Sequence, residues 1–301
     1  MKGGVFVMFR KYFQLARIPN AFTTPSNIIS GYLIVTPISE LNSINLVTLI
    51  LSSMSLYVSG VIFNDYFDIK IDRKERPFRP LPSGSITTES ARKIAIGLMA
   101  FAVILAISVS WSSFTIAVFL SGMILAYDYG LKHGKFSGPL SMGSLRFLNV
   151  IFGASPVLNL SLHTNLLQLI VAATSVLIFV TVIGGFSKKE MSGMSERRTI
   201  IILFAVIYMI ILLMTITTLL GLFMIWSLVI LVPFTIIISI IFKQTLSGES
   251  TTIQKGIKNM VISIVILDSI FISGVSGLIY GLLTLLFLFP SILLSRKLYV
   301  T

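Results

Sequence analysis

Residues 64–84 read Asn64-Asp65-Tyr66-Phe67-Asp68-Ile69-Lys70-Ile71-Asp72-Arg73-Lys74-Glu75-Arg76-Pro77-Phe78-Arg79-Pro80-Leu81-Pro82-Ser83-Gly84. Asn64, Asp68 and Asp72 stand at i, i+4 and i+8, which places them in one stripe of a helix. Asp65 lies about 100° round from Asn64. Carboxylates stacked this closely repel one another, and next to a bilayer they are expensive to ionise. A divalent cation between them relieves both costs. Hard oxygen donors that leave part of the shell to phosphate oxygens are the usual surroundings of magnesium. Directly downstream come Arg73, Lys74, Arg76 and Arg79, in a loop stiffened by Pro77, Pro80 and Pro82. Guanidinium groups suit bidentate phosphate binding. The pattern therefore predicts a diphosphate clamp. The competing reading, acids that end a helix and arginines that anchor a membrane edge, accounts for the arginines but poorly for three acceptors in one stripe with apolar flanks.

Those flanks decide the fold class. The chain has 301 residues, 55% hydrophobic and 11% charged, with mean hydropathy +0.97. A soluble globular domain carries about 25% charged residues, so this chain lacks the polar surface to fold in water as one. Several apolar runs reach the about 20 residues that cross a bilayer. The expected spans are 20–37, 44–66, 93–111, 113–130, 139–158, 166–186, 199–220, 222–242 and 261–289. This is an all-α fold: a polytopic transmembrane helical bundle of about nine helices, forming a single domain over 1–301. The last region, 261–294, is too long for one straight span and contains Gly274, Gly277 and Gly281. It fits a tilted helix or a broken pair, and the nine-span count treats it as one crossing.

There is no cysteine and only two histidines, His133 and His163. Disulfides, thiolate metal centres and thiol nucleophiles are excluded, and any metal must take oxygen ligands. The net charge of +12 is explained by topology. Twenty of the 23 Lys and Arg lie before the first span or in and at the edges of the stretches after the second, fourth, sixth and eighth, and the intervening turns have none. The positive-inside rule then puts the N-terminus and the long loops on the cytoplasmic side of the cell membrane. The bilayer is the expected partner and no nucleic acid is needed. The first residues lack a cleavable signal pattern, so the first span is expected to be retained.

Arg146 is the one cation inside an expected span, where an unpaired charge is costly. Asp128 and a substrate diphosphate are its candidate partners, and Asn149 is expected to line the same cavity. Asp268, inside the last apolar run, is a functional candidate with no motif around it.

The string over 64–84 resembles the first signature of the UbiA superfamily of intramembrane prenyltransferases. Arg17, Asn20, Asn27 and Gly31 fall where that family's first helix places such residues, and the span count is similar. The resemblance implies transfer of an isoprenyl group from a polyprenyl diphosphate to a lipophilic or aromatic acceptor, dependent on Mg2+. Asn64, Asp68 and Asp72, helped by Asp65, would hold the metal. Arg73, Arg76, Arg79, Lys132 and Arg146 would neutralise the leaving diphosphate, with Tyr127 and Asp128 beside Lys132. The family's second acidic motif is reduced here to Ser187 and Glu190, which implies a weaker second metal site at Glu190. The run 138–149, GPLSMGSLRFLN, is similar to a less characterised branch related to EboC-like prenyltransferases. Alternatives are ether-lipid synthesis of the digeranylgeranylglyceryl-phosphate type, a membrane terpene cyclase on the same scaffold, and a transporter of anionic lipid.

Overall fold

A computed structural model describes residues 10–157, 165–191 and 197–297, with the side chains of 189–191 and 295–297 outside that description. Every regular element among the described residues is helical. A short α1 (10–15) leads into α2 (Ile18–Ala21) and α3 (Thr24–Val35). Then come α4 (Ser43–Phe67), α5 (Ile69–Glu75), α6 (Thr88–Val109), α7 (Trp111–Tyr129), α8 (Ser137–Ala154) and α9 (Leu166–Met191). The chain continues through α10 (Arg197–Leu219), α11 (Trp226–Thr245), α12 (Ser250–Ser276), α13 (Leu278–Thr284) and α14 (Leu288–Lys297).

Polar caps mark where the long helices begin. Asn42 accepts from the Asn45 amide (3.1 Å) at α4, Thr87 from Ser90 (3.2 Å) at α6, and Ser110 from Ser113 (3.0 Å) at α7. Each satisfies one of the amides a helix start leaves open. Seven helices, α4, α6, α7, α9, α10, α11 and α12, are long and apolar enough to cross a membrane. Their outward faces carry the exposed Ile104, Val118, Met209, Leu212 and Ile236, a surface that suits lipid and not water. The chain is a multi-pass membrane protein. The expected spans 20–37 and 139–158 fold as helices outside that set: α2 and α3 are short, and α8 is diluted by Arg146, Asn149 and small residues.

α8 is clamped on two sides. A side chain at Gly31 of α3 would collide with the Val150 carbonyl of α8, and one at Gly153 of α8 with the Ile28 carbonyl of α3. On the other flank a Cβ at Gly143 would strike Thr181 and the Leu177 carbonyl of α9, and Gly184 of α9 lies against Pro139. Small residues let helix backbones approach this closely without a water-driven hydrophobic force. The outcome is a fixed platform for Arg146 and Asn149. Aromatic packing of Phe179, Phe204, Phe234 and Phe271 fills the neighbouring core among α9 to α12.

The long last apolar region is a broken pair. α12 stops at Gly277, whose φ of 97° is open to glycine alone at little cost. The chain then reverses, with Ser269 Oγ donating to the Gly281 carbonyl (2.5 Å). Ser276 sits by the Leu33 carbonyl (3.3 Å), at one end of α3, whereas Ser291 of α14 donates to the Pro19 carbonyl (2.8 Å), at the other. Residues 278–297 thus run back along the bundle, so of the two expected forms this region takes the broken pair and is not one straight span.

Candidate active site

The motif helix does not run straight through its own stripe. α4 ends at Phe67, Asp68 caps it, and α5 restarts at Ile69. The bend splits the acidic residues into two groups. Asp65 and Asp72, each 3% exposed, share Arg79: its Nη1 lies 2.8 Å from Asp72 Oδ2 and 3.4 Å from Asp65 Oδ1. Arg17 donates to the same Asp65 oxygen at 2.7 Å, and Arg76 stands 4.0 Å from Asp72. Burial and the nearby Arg17 cation push the Arg79 guanidinium below its ordinary pKa, and the two carboxylates oppose that shift. Arg17 holds its place with φ 43°, the one non-glycine positive φ among the described residues. Such a backbone costs of order 1 kcal/mol and persists where surroundings enforce it.

The second group is Asn64, Asp68, Asp128 and Lys132. Lys132 lies 2.8 Å from Asp68, close in distance without the alignment of a good hydrogen bond. Its backbone is fixed from behind, since Gly138 at the start of α8 packs on the Lys132 carbonyl. Asn64 Nδ2 donates to Asp128 Oδ1 (3.1 Å), and Asp128 Oδ2 is buried with no hydrogen-bond partner among the described residues. A buried orphan acceptor is costly, which marks this carboxylate as waiting for a ligand.

Among the described residues, no three acidic or histidine side chains form a ready metal cage. The Asn64 amide oxygen, the Asp68 carboxylate and the orphan Asp128 oxygen nevertheless fit a hard cation that draws part of its shell from substrate. Asp72 is committed to Arg79. Tyr127 is half-buried at the end of α7, Arg73 is exposed, and Ser187 is half-buried near the end of α9. The neighbouring Lys188 lies against Gly138, so this end of α9 borders Lys132. The Glu190 side chain lies outside the described residues.

Arg146 is not paired with Asp128. Its guanidinium donates to Asn27 Oδ1 (2.9 Å), Thr23 Oγ1 (2.9 Å) and the Thr23 carbonyl (3.3 Å), and lies 5.6 Å from the Tyr57 ring centre. Asn149 donates to the Thr24 carbonyl (3.3 Å) and accepts from Ser53 (2.7 Å). Asn20 sits on α2, its carbonyl accepting from Thr23 Oγ1 (2.7 Å). Asp268 accepts from Ser26 (2.5 Å) and Asn27 (2.7 Å). Thr23, Ser26, Ser53 and Tyr57 are participants that sequence reasoning missed. Only Tyr57 had a usable signal, standing seven residues before Asn64 on the same face of α4.

The sequence profile of the UbiA prenyltransferase family matches residues 27–254, most of the chain. The chain belongs to that family. Relatives include a digeranylgeranylglyceryl phosphate synthase of Saccharolobus solfataricus, 26% identical over 259 residues, covering 80% of this chain and 89% of the relative. The synthase of Ignicoccus hospitalis is 29% identical over 48% of this chain and 46% of its own. In fold, the chain is similar to a solved digeranylgeranylglyceryl phosphate synthase (TM-score 0.66, 22% identity, 89% of this chain and 98% of that one). It is similar also to a UbiA homolog from Archaeoglobus fulgidus bound to GPP and Mg2+ (TM-score 0.58, 14% identity, 91% and 99%). The protein is thus a UbiA-family prenyltransferase.

Proposed function

We propose that this prenyltransferase moves an isoprenyl chain from a polyprenyl diphosphate to a hydroxyl of a lipophilic acceptor. The observation that carries this reading is the second group, with the orphan Asp128 oxygen beside Asn64, Asp68 and Lys132 at one end of an apolar bundle. The names of the relatives favour a glyceryl phosphate acceptor. Asn64, Asp68 and Asp128 would hold magnesium, which supplies positive charge to the diphosphate. Lys132 and Arg17 exchange carboxylate partners for diphosphate oxygens, while Arg79 stays with Asp72. The bond between C1 and its diphosphate oxygen breaks with both electrons leaving on that oxygen. Preorganised cations placed where this charge develops are a large source of rate. The acceptor oxygen forms the new bond to C1, and its proton passes to water at the mouth of the site. The apolar helices shield C1 from water meanwhile. The excess of Lys and Arg on the loops supports a location in the cell membrane with the aspartate end towards the cytoplasm.

The test is purified protein with geranylgeranyl and shorter prenyl diphosphates, with and without Mg2+, and a native lipid extract as acceptor. Expected are diphosphate release and a new prenylated mass, both abolished by chelation. Release from donor alone with a hydrocarbon product would replace transfer by cyclisation. Absence of release with every donor would leave transport or binding.

A further inference from the structure

Arg146 is held by neutral groups alone: Asn27, Thr23 and the ring of Tyr57. None of the ion pairs among the described residues includes it. Two of the three hydrogen bonds leave from Nη1 and one from Nη2. Nε donates in none of these three bonds, and in a guanidinium the Nε–H shares one edge with an Nη2 hydrogen. That edge receives two oxygens of a carboxylate or phosphate in a bidentate pair.

Compensation comes from behind. Asp268, wholly buried, accepts from Asn27 Nδ2 at 2.7 Å, and the other end of the same amide accepts from Arg146 at 2.9 Å. Asn149 also reaches Asn27 Oδ1, at 3.5 Å. The carboxylate thus balances the arginine at one remove and leaves it without a direct carboxylate partner among the described residues. A cation arranged in this way deep in an apolar bundle is functional by default. Its depth matters too: Tyr57 precedes Asn64 by two turns on one face of α4, about 10 Å along the axis. That separation suits two anions with the reaction between them. A phosphate–glycerol arm plus a contact of about 3 Å between hydroxyl and C1 fills it.

We propose that Arg146, backed by Tyr57 and positioned by the Asp268–Asn27 relay, is the subsite for the acceptor's phosphate, separate from the diphosphate clamp. The proposal rests on the prenyl-transfer reading above.

The experiment uses the full chain with geranylgeranyl diphosphate, Mg2+ and one of two acceptors: geranylgeranylglyceryl phosphate or its neutral alcohol, geranylgeranylglycerol. The wild type is expected to prefer the phosphate by about 100-fold in kcat/KM, a charge-assisted bidentate contact being the difference. Arg146→Gln should cut that preference to a few-fold by raising the KM for the phosphorylated acceptor, with the donor KM within about twofold. Arg146→Lys, a point charge without the fork, should fall between. A donor KM that rises in place of the acceptor KM would assign Arg146 to the diphosphate and overturn the proposal. So would a preference that survives Arg146→Gln. If that variant does not fold, the wild type decides, because equal use of the two acceptors, or preference for an aromatic acid, overturns the subsite. A wild type that releases no diphosphate with either acceptor fails earlier, on prenyl transfer itself.

Discussion

Arg79 joins two carboxylates, Asp65 and Asp72, that share one helix face but stand two turns apart along it. Replacing it with alanine leaves Asp72 with only Arg76 at 4.0 Å and Asp65 with Arg17 alone. Removing one member of a buried charged group costs about 3 kcal/mol or more. Arg79→Ala should lower the thermal unfolding midpoint clearly, and Arg79→Lys should recover part of the loss. Lys132→Ala tests a different contribution. Diphosphate loses a cation and release should slow about 100-fold, while loss of the pair with the part-exposed Asp68 should lower the midpoint less than Arg79→Ala does. The residue types and their chemistry were legible in the string over 64–84. Their pairing was not, because Arg17 and Arg79 reach Asp65 from 48 and 14 residues away in the chain. Arg146 is the clearer case. Its isolation in an apolar run marked it as functional, but its partners Thr23 and Asn27 are 123 and 119 residues away. No local spacing encodes a contact of that range.

At the scale of helices, α8 is the element on which the site depends. The sequence read residues 139–158 as one more span. In the structure this helix is more polar than its neighbours and locked between α3 and α9. Gly31→Ala would drive a methyl group into the Val150 carbonyl, backbone that cannot rotate away. Overpacking of this kind costs about 1–3 kcal/mol or more, so this variant should lose stability and displace Arg146. Gly97 of α6 is the control, since a Cβ there meets nothing within 4 Å. Gly97→Ala should be neutral or gain up to about 1 kcal/mol from helix propensity. Thermal unfolding of both variants in the same detergent separates close approach from propensity. Glycines in apolar helices were legible as packing residues, but which of them touch backbone was not.

For the whole molecule, the alternation of basic and neutral turns was enough to predict orientation, and the absence of cysteine makes the prediction direct to test. A single cysteine at Ser83 or Ser247 should react with an impermeant maleimide only from the cytoplasmic side, and one at Ser43 only from the opposite side. All three positions are exposed. Labelling of all three from one face would overturn the assigned topology. Composition showed that 261–294 was too long for one crossing. The choice between tilt and reversal rested on the backbone at Gly277, which composition does not encode.

That reversal has a consequence for biosynthesis. The carbonyl of Pro19, two residues beyond Arg17, meets its partner Ser291 only across 272 positions of chain. Chains emerge from the ribosome at about 5–20 residues per second, so the first-made part of the donor site waits tens of seconds for the strap that completes its surroundings. A nascent chain therefore has Arg17 and every carboxylate of the clamp in place well before Ser291 reaches the Pro19 carbonyl.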